Sequence, residues 1–106
     1  KGKLDIYIDS YYGSSNSSDD LYKTEDYLNK NFDYKNQTYL KYRLSGDKYD
    51  VKVIVKVDER DWEDWTSTEV RDFFYDVEKE VNYDFPSAKV KIEVEDSYSG
   101  RYLKSN

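Results

Sequence analysis

The segment spanning residues 49–58 alternates between two kinds of side chain, and this period of two constrains the fold more than any other feature of the chain. Tyr49 and four valines occupy the odd positions, while charged side chains occupy the even positions except for Ile54. The four valines are Val51, Val53, Val55 and Val57. Because successive side chains of a strand point to opposite faces, the pattern predicts a strand that buries one face and exposes the other.

The same alternation recurs in residues 3–10, 38–44 and 88–95. The apolar side chains of these three segments are Leu4, Ile6 and Ile8, then Leu40, Tyr42 and Leu44, then Ala88, Val90, Ile92 and Val94. A Ser-Gly-Asp-Lys link at residues 45–48 has the composition of a turn, so the segments on either side of it are predicted to form a hairpin.

Two further segments have the spacing of amphipathic helices. The second of them begins at a capping box formed by Thr66 and Glu69, and Pro86 prevents its continuation. Its apolar stripe consists of Val70, Phe73, Phe74, Val77 and Val81. The first helix follows a loop at residues 11–18, and its apolar positions are Leu21, Leu28 and Phe32.

The predicted order of elements is β-α-β-β-α-β. With right-handed crossover connections, this order predicts a ferredoxin-like α+β fold, a two-layer sandwich of an antiparallel four-stranded sheet with two helices on one face. Strands that are apolar on one side and polar on the other suit such a sheet. We expect one domain over residues 1–96, followed by a tail at residues 97–106 that either frays or adds one short strand.

Composition excludes several chemistries. The chain has 106 residues, a net charge of −6, and no cysteine, methionine or histidine. It therefore has no disulfide, no thiolate nucleophile and none of the cysteine or histidine ligands of zinc, haem or iron–sulfur sites, and we predict no cofactor and no metal site built on those side chains. No histidine is available as the base for a serine or threonine nucleophile, so we expect no enzyme activity.

The charge balance also limits the partners. Nucleic acid is not expected, because non-specific affinity for it comes from lysine and arginine in excess. Membrane insertion is not expected either, because no apolar run approaches the ~20 residues of a membrane helix. The chain begins with Lys1 rather than methionine, which predicts a processed product or a piece of a longer parent chain.

Aromatic rings beside carboxylates in the acidic loop at residues 58–65 form the first candidate binding site. An exposed Trp62 could stack a sugar ring, since Trp65 already serves as the apolar residue before the second helix. The candidate ligand-binding residues are Trp62, Tyr11, Tyr12, Asp61 and Glu63. This hypothesis gives a cell-wall glycan site, with or without Ca²⁺ on the carboxylate oxygens. The alternative is an acidic, solvated helix entry favoured by the helix dipole.

The polar side of the predicted sheet is the second candidate. A protein partner would bind there around Tyr7, Tyr39 and Ile54. The alternative is a solvated face on which opposite charges of neighbouring strands neutralise one another. RNA-recognition domains share the predicted topology, but their pair of stacking rings is missing from residues 49–56.

Three segments carry a resemblance to known proteins: residues 20–32 with Glu25-Asp26-Tyr27-Leu28-Asn29, the hairpin at residues 42–58, and Trp62-Glu63-Asp64-Trp65 before a helix. This pattern resembles accessory domains that follow the stalk, or copper-amine-oxidase N-terminal-like, module in secreted bacterial surface proteins. The resemblance implies an extracellular or cell-surface location, a multidomain parent and no assigned activity. It implies no copper site, since the chain has no histidine, cysteine or methionine to hold copper.

These observations together predict a non-catalytic extracytoplasmic accessory domain. Its role would be that of a spacer or interaction module within a larger envelope protein, and the rest of that parent chain would be among its partners. The alternative hypothesis is a cell-wall glycan-binding domain that uses the Trp62 site.

Overall fold

The computed structural model describes residues 17–33 and 39–106. Within these residues the chain forms three helices and four strands. In chain order they are α1 (Ser17–Asn31), β1 (Leu40–Gly46), β2 (Asp50–Val57), α2 (Glu59–Trp62), α3 (Ser67–Asp84), β3 (Lys89–Asp96) and β4 (Tyr102–Ser105). The strand predicted at residues 3–10 and most of the loop predicted at residues 11–18 lie outside the described residues.

The four described strands form one mixed sheet in the order β1-β2-β3-β4. Strands β1 and β2 form the predicted hairpin and pair antiparallel, as do β3 and β4, whereas β2 and β3 pair in parallel. Near the middle of the sheet, Val53 on β2 has Leu44 on β1 and Ile92 on β3 as its register partners. The α+β class is confirmed, with this sheet and the two long helices α1 and α3 as its layers.

The prediction of an all-antiparallel sheet is wrong, because β2 and β3 run parallel as direct neighbours. The ferredoxin-like order would have placed the strand predicted at residues 3–10 between them. Instead, α3 supplies the long crossover that a parallel pair requires, and β3 returns directly beside β2. The tail then contributes β4, which pairs with the outer side of β3.

The core lies on the face of the sheet that α1 and α3 cover. On β2 the odd-numbered valines are buried, while the even-numbered residues are half-buried or exposed. Helix α3 buries the whole stripe predicted for it, Val70, Phe73, Phe74, Val77 and Val81. Leu21 and Leu28 of α1 join the same cluster. Each large apolar side chain buried in this way contributes roughly 1.5–3 kcal/mol.

Helix α3 begins at the predicted capping box. The Thr66 hydroxyl accepts the N–H of Glu69 at 3.1 Å, and the Glu69 carboxylate accepts the N–H of Thr66 at 2.8 Å. Two of the N–H groups that lack partners within a first helical turn are thereby satisfied. The capping box therefore fixes the residue at which α3 begins, and so which of its residues face the sheet.

Helix α1 lies along β1 and bonds to backbone groups of that strand. The side-chain amide of Asn29 pairs with the N–H and C=O of Tyr42, and the Glu25 carboxylate accepts the N–H of Leu44 at 2.9 Å. A further strand could not pair with β1 at these positions without displacing the helix. The helix therefore protects this edge of the sheet.

Candidate functional site

The face of the sheet opposite the helices carries the side chains that alternate with the core positions of β1, β2 and β3. The register places them in rows across the three strands. From one end to the other the rows are Lys41–Lys56–Glu95, Arg43–Ile54–Glu93, Ser45–Lys52–Lys91 and Asp50–Lys89. We refer to this set of side chains as the open face, because no described helix packs on it.

The open face has a surplus of positive charge, although the chain as a whole has a net charge of −6. Its cations are Lys41, Arg43, Lys52, Lys56, Lys89 and Lys91, and its carboxylates are Asp50, Glu93 and Glu95. Helix α3, on the other side of the sheet, has six acidic and two basic residues. The two sides of the domain therefore differ in sign of charge, which composition alone does not reveal.

Two of the cations on the open face are paired. The Nζ of Lys56 lies 2.6 Å from Oε1 of Glu95, and the Nζ of Lys52 lies 3.5 Å from Oε1 of Glu93. Both bridges join β2 to β3, and their side chains keep contact with solvent. The four other cations, Lys41, Arg43, Lys89 and Lys91, form no salt bridge within the part of the chain that the structure describes. The self-neutralisation that the sequence left open as an alternative is thus incomplete.

A shallow pocket of about 470 Å³ lies at the β1 end of the open face. Its lining includes Tyr39, Lys41, Arg43, Ile54 and Lys56, together with the carboxylates Glu95 and, from the neighbouring helix α1, Glu25. Tyr39 is 45% exposed, and Ile54 is half-buried between its row neighbours. Two of the residues predicted for an interaction surface, Tyr39 and Ile54, are therefore brought to one place. The third, Tyr7, lies outside the described residues.

The expectation of an exposed Trp62 is wrong. Helix α2 is a single turn, and it places Trp62 and Trp65 on the same side, three residues apart. The two indole rings lie 4.9 Å apart between centroids, and both contact Phe73 of the core. Trp62 is only 9% exposed. A ring in that position offers no surface for stacking a sugar.

Of the other predicted ligand-site residues, the structure describes Asp61 and Glu63. Asp61 is half-buried and Glu63 is exposed, and both flank the inward-facing Trp62 on the α2 turn. Tyr11 and Tyr12 lie outside the described residues. Among residues 17–33 and 39–106, no group of three or more aspartate, glutamate, histidine or cysteine side chains is placed to hold a metal ion.

Several carboxylates near α2 already bind groups of the protein itself. Asp96 at the end of β3 is 7% exposed and accepts the N–H of Ser99 at 2.7 Å, the Ser99 hydroxyl at 2.9 Å and the N–H of Glu59 at 3.1 Å. These hydrogen bonds, with the backbone of Ser99 first, lower the pKa of Asp96. Asp96 therefore joins the start of α2 to the β3–β4 turn.

Two further interactions support the same junction. The Asp58 side chain caps α2 by accepting the N–H of Arg60 at 2.9 Å, and it also binds the Arg60 guanidinium, which lowers the pKa of Asp58. The Arg101 guanidinium pairs with the Glu59 carboxylate. The acidity of this loop thus serves the connection between elements, which agrees with the structural interpretation of the sequence more than with the ligand site.

Sequence reasoning missed the excess of positive charge on the open face. It identified the outward-facing residues of β1, β2 and β3 correctly, and of its two interpretations of this face one had neighbouring strands neutralise each other. The signal appears only in the register, because Lys41 stands opposite Lys56 and Lys52 stands opposite Lys91. The first of these pairs lies in the predicted hairpin. The second depends on the parallel pairing of β2 and β3, which the predicted topology did not contain.

Comparison with family models, with curated proteins and with solved structures found no match for this chain. Among the described residues, no helix is both long enough and apolar enough to cross a membrane.

Proposed function

We propose that this chain is a non-catalytic interaction domain and that the open face is its binding surface. The observation that carries the proposal is the placing of like charges directly opposite each other, Lys41 with Lys56 and Lys52 with Lys91. Like charges at such positions destabilise a sheet by an amount comparable to the 0.2–1 kcal/mol that an opposite pair gains. Glu95 and Glu93 compensate Lys56 and Lys52, which leaves Lys41 and Lys91 without a carboxylate partner among the described residues and available to an anionic group of a partner.

The location of the protein is part of the same proposal. We place it outside the cytoplasm, as an accessory domain of a larger envelope protein whose partner is another envelope component. Support comes from the acidic, cysteine-free composition and from the resemblance described above. The glycan-binding alternative at Trp62 loses its main support, because the ring is buried.

The non-catalytic character is supported by what the perturbed acidic groups do. Asp58 and Asp96 have lowered pKa values because they accept hydrogen bonds from the backbone and side chains of the α2 junction. Glu80 on α3 has a raised pKa, first from burial and then from Asp84 one helical turn away. The Asp84 carboxylate in turn accepts the Thr24 hydroxyl at 2.5 Å. Thr24 with Asp84 is a hydroxyl–carboxylate pair of the kind that covalent catalysis uses, but Thr24 is only 1% exposed, so its hydroxyl is closed to a substrate.

A titration followed by ¹⁵N–¹H correlation spectra would test the proposal. The 106-residue chain would be mixed with a soluble digest of bacterial cell wall, as a mixture that contains both glycan and peptide components. We expect the shifted signals to map to Tyr39, Lys41, Arg43 and Ile54. Shifts confined to the helix side, or the absence of any shift, would contradict the proposal, and so would turnover of a digest component by the isolated chain.

A further inference from the structure

Five cations on the open face form a continuous diagonal line, which we call the cationic stripe. It runs from β1 across β2 to β3, and its members in order are Lys41, Arg43, Lys52, Lys91 and Lys89. The line covers six residue steps along the strands and two strand spacings across them, so it is about 22 Å long. Glu93 and Glu95 lie together on one side of it, and Asp50, the register partner of Lys89, lies on the other side.

We infer that the cationic stripe binds a linear anionic polysaccharide, and this inference rests on the function proposed above. A long anionic chain would follow the line of charges and pass beside the half-buried Ile54. The flat face and the shallow pocket at its end would not enclose a small molecule, whose binding sites bury most of the ligand surface. A stripe of this length is therefore suited to several consecutive charged units.

The composition of the stripe favours a polyanion over a protein partner. Four of its five members are lysine, and lysine is depleted in protein–protein interfaces, where aromatic residues and arginine dominate. At the β1 end of the open face lies the exposed ring of Tyr39, and the exposed ring of Tyr102 on β4 pairs with Glu95 at the other side of the sheet. These two rings are separated by the width of the sheet and form no aromatic cluster among the described residues. An exposed row of lysines, by contrast, gains affinity for a polyanion by releasing its counterions.

Nucleic acid fits the face less well than a polysaccharide does. Single strands are held by aromatic rings on which successive bases stack, together with a basic groove. Tyr39 is one ring at the end of the stripe rather than a series along it. A polysaccharide needs no such platform, because hydrogen bonds and charge contacts from Lys41, Arg43 and Lys91 reach its hydroxyl and carboxylate groups.

An acidic peptide that adds a strand to the sheet is also disfavoured at β1. The backbone groups of Tyr42 and Leu44 that such a peptide would need are already bonded to Asn29 and Glu25 of α1. Strand addition draws its affinity from those main-chain hydrogen bonds. Binding at this end of the open face must therefore use side chains, which is the mode available to a charged polysaccharide.

The test uses polygalacturonate, a linear polysaccharide with a carboxylate on each sugar, and the full 106-residue chain. Binding would be measured by isothermal titration calorimetry at several salt concentrations, with neutral dextran and single-stranded DNA as comparison polymers. Four cations of the stripe, Lys41, Arg43, Lys89 and Lys91, form no salt bridge with another described residue. With these four in contact and about 0.7 counterion released for each, raising the salt from about 50 to 200 mM should weaken binding about 50-fold. Dextran should not bind, and the DNA should bind more weakly than polygalacturonate.

Two charge-reversed double variants separate the stripe from net charge. The first, Lys41→Glu with Arg43→Glu, removes two members of the stripe. The second, Arg71→Glu with Lys79→Glu, makes the same change of net charge on the exposed side of α3. We expect the first variant to lose at least ten-fold in affinity and about half of the salt dependence, while the second stays within about three-fold of the unmodified chain. Thermal melting of both variants is the control for folding, and we expect a cooperative transition for each.

The outcomes distinguish this inference from the function on which it rests. Equal losses in the two variants, or equal or tighter binding of the DNA, would overturn the polysaccharide assignment. If polygalacturonate does not bind at about 50 mM salt while the cell-wall digest still shifts signals on the open face, the inference fails and the interaction function stands. If neither ligand affects the open face, both fail.

Discussion

The side-chain amide of Asn29 on α1 bonds to both backbone polar groups of Tyr42 on β1. Its Oδ1 accepts the N–H of Tyr42 at 2.8 Å, and its Nδ2 donates to the C=O of Tyr42 at 3.0 Å. A carboxamide has one acceptor and two donors, so it takes the place of a peptide group from a neighbouring strand. The Tyr42 hydroxyl is fixed as well, since it donates to the C=O of Phe32 at 2.9 Å.

Replacing Asn29 should therefore weaken the attachment of α1 to the sheet. Asn29→Ala removes two hydrogen bonds, each worth roughly 0.5–1.5 kcal/mol, and we expect the free energy of unfolding in urea to fall by about 1–3 kcal/mol. Asn31→Ala is the matched control, because Asn31 lies on the same helix and its side chain donates to the C=O of Tyr27 at an exposed site. Equal effects of the two substitutions would show that the pairing with Tyr42 contributes no stability.

Substitution of Trp62 tests whether the ring belongs to the core or to a ligand site. Because Trp62 packs against Trp65 and Phe73, Trp62→Ala should lower the free energy of unfolding by about 3–5 kcal/mol. Trp62→Phe should cost less and keep the domain folded for measurement. Tyr98→Ala is the control, since Tyr98 is 99% exposed. An unchanged melting temperature for Trp62→Ala would contradict the burial and restore the glycan hypothesis at this residue.

The periodicities of the sequence predicted the described elements well, but they did not predict which strands become neighbours. Alternation determines which face of a strand is buried, and Val53 and Ile92 are buried as expected. Alternation does not determine which strands pair with each other, because an apolar face packs equally well beside any other strand with the same pattern. The choice of β2 as the neighbour of β3 depends on how α3 packs over both, which is a tertiary property.

The candidate site was likewise predicted only in part from the sequence. Tyr39 and Ile54 were assigned to the outward side of their strands from alternation alone, and the structure places them there. The burial of Trp62 was missed, because its neighbours are charged and the loop has no long helical pattern. One signal was present in the sequence: Trp62 and Trp65 are three residues apart, which places them on one side if the segment makes a helical turn. The Asp58 cap supplies that turn.

Two glycines with positive φ provide a matched pair of substitutions. Gly46, at the β1–β2 turn, has φ of +110°, and a Cβ built there would lie 2.0 Å from the Asp50 carbonyl oxygen. Gly100 has φ of +78° and open space around the added carbon. Gly100→Ala should cost only the backbone strain, about 1–2 kcal/mol. Gly46→Ala should cost clearly more, because the turn must also open.

Urea unfolding of the two alanine variants would compare these costs directly. The tight turn at Gly46 is closed by the N–H of Asp47, which donates to the C=O of Asp50 at 2.9 Å. Relief of the clash would have to lengthen that bond and disturb the start of β2. If Gly100→Ala proved the more destabilising variant, the close approach of the chain at Gly46 would be incorrect.

Asp96 should make the stability of the domain depend on pH in the acid range. Hydrogen bonds from Ser99 and Glu59 hold its folded-state pKa below the ordinary value of 3.8. Because the folded pKa is the lower one, the stabilisation is fully present above pH 3.8 and is lost as the pH falls through the folded value. A protonated Asp96 carboxyl group would place its own O–H among three hydrogen-bond donors, the N–H of Glu59 and the N–H and hydroxyl of Ser99. Protonation therefore destabilises the folded state.

The variant Asp96→Asn isolates this contribution. The single oxygen of the introduced amide can still accept a hydrogen bond. Its NH₂ group, which replaces the second carboxylate oxygen, would face a donor, either the N–H of Glu59 or the groups of Ser99. We expect the unmodified chain to be more stable than Asp96→Asn at pH 7, and the difference in free energy of unfolding to shrink as the pH is lowered towards 2. Asp72→Asn, on the exposed side of α3, should show little difference at either pH. A gap between the unmodified chain and Asp96→Asn that stayed constant down to that pH would mean that the variant acts through packing alone, and that the charge of Asp96 does not hold the α2 junction together.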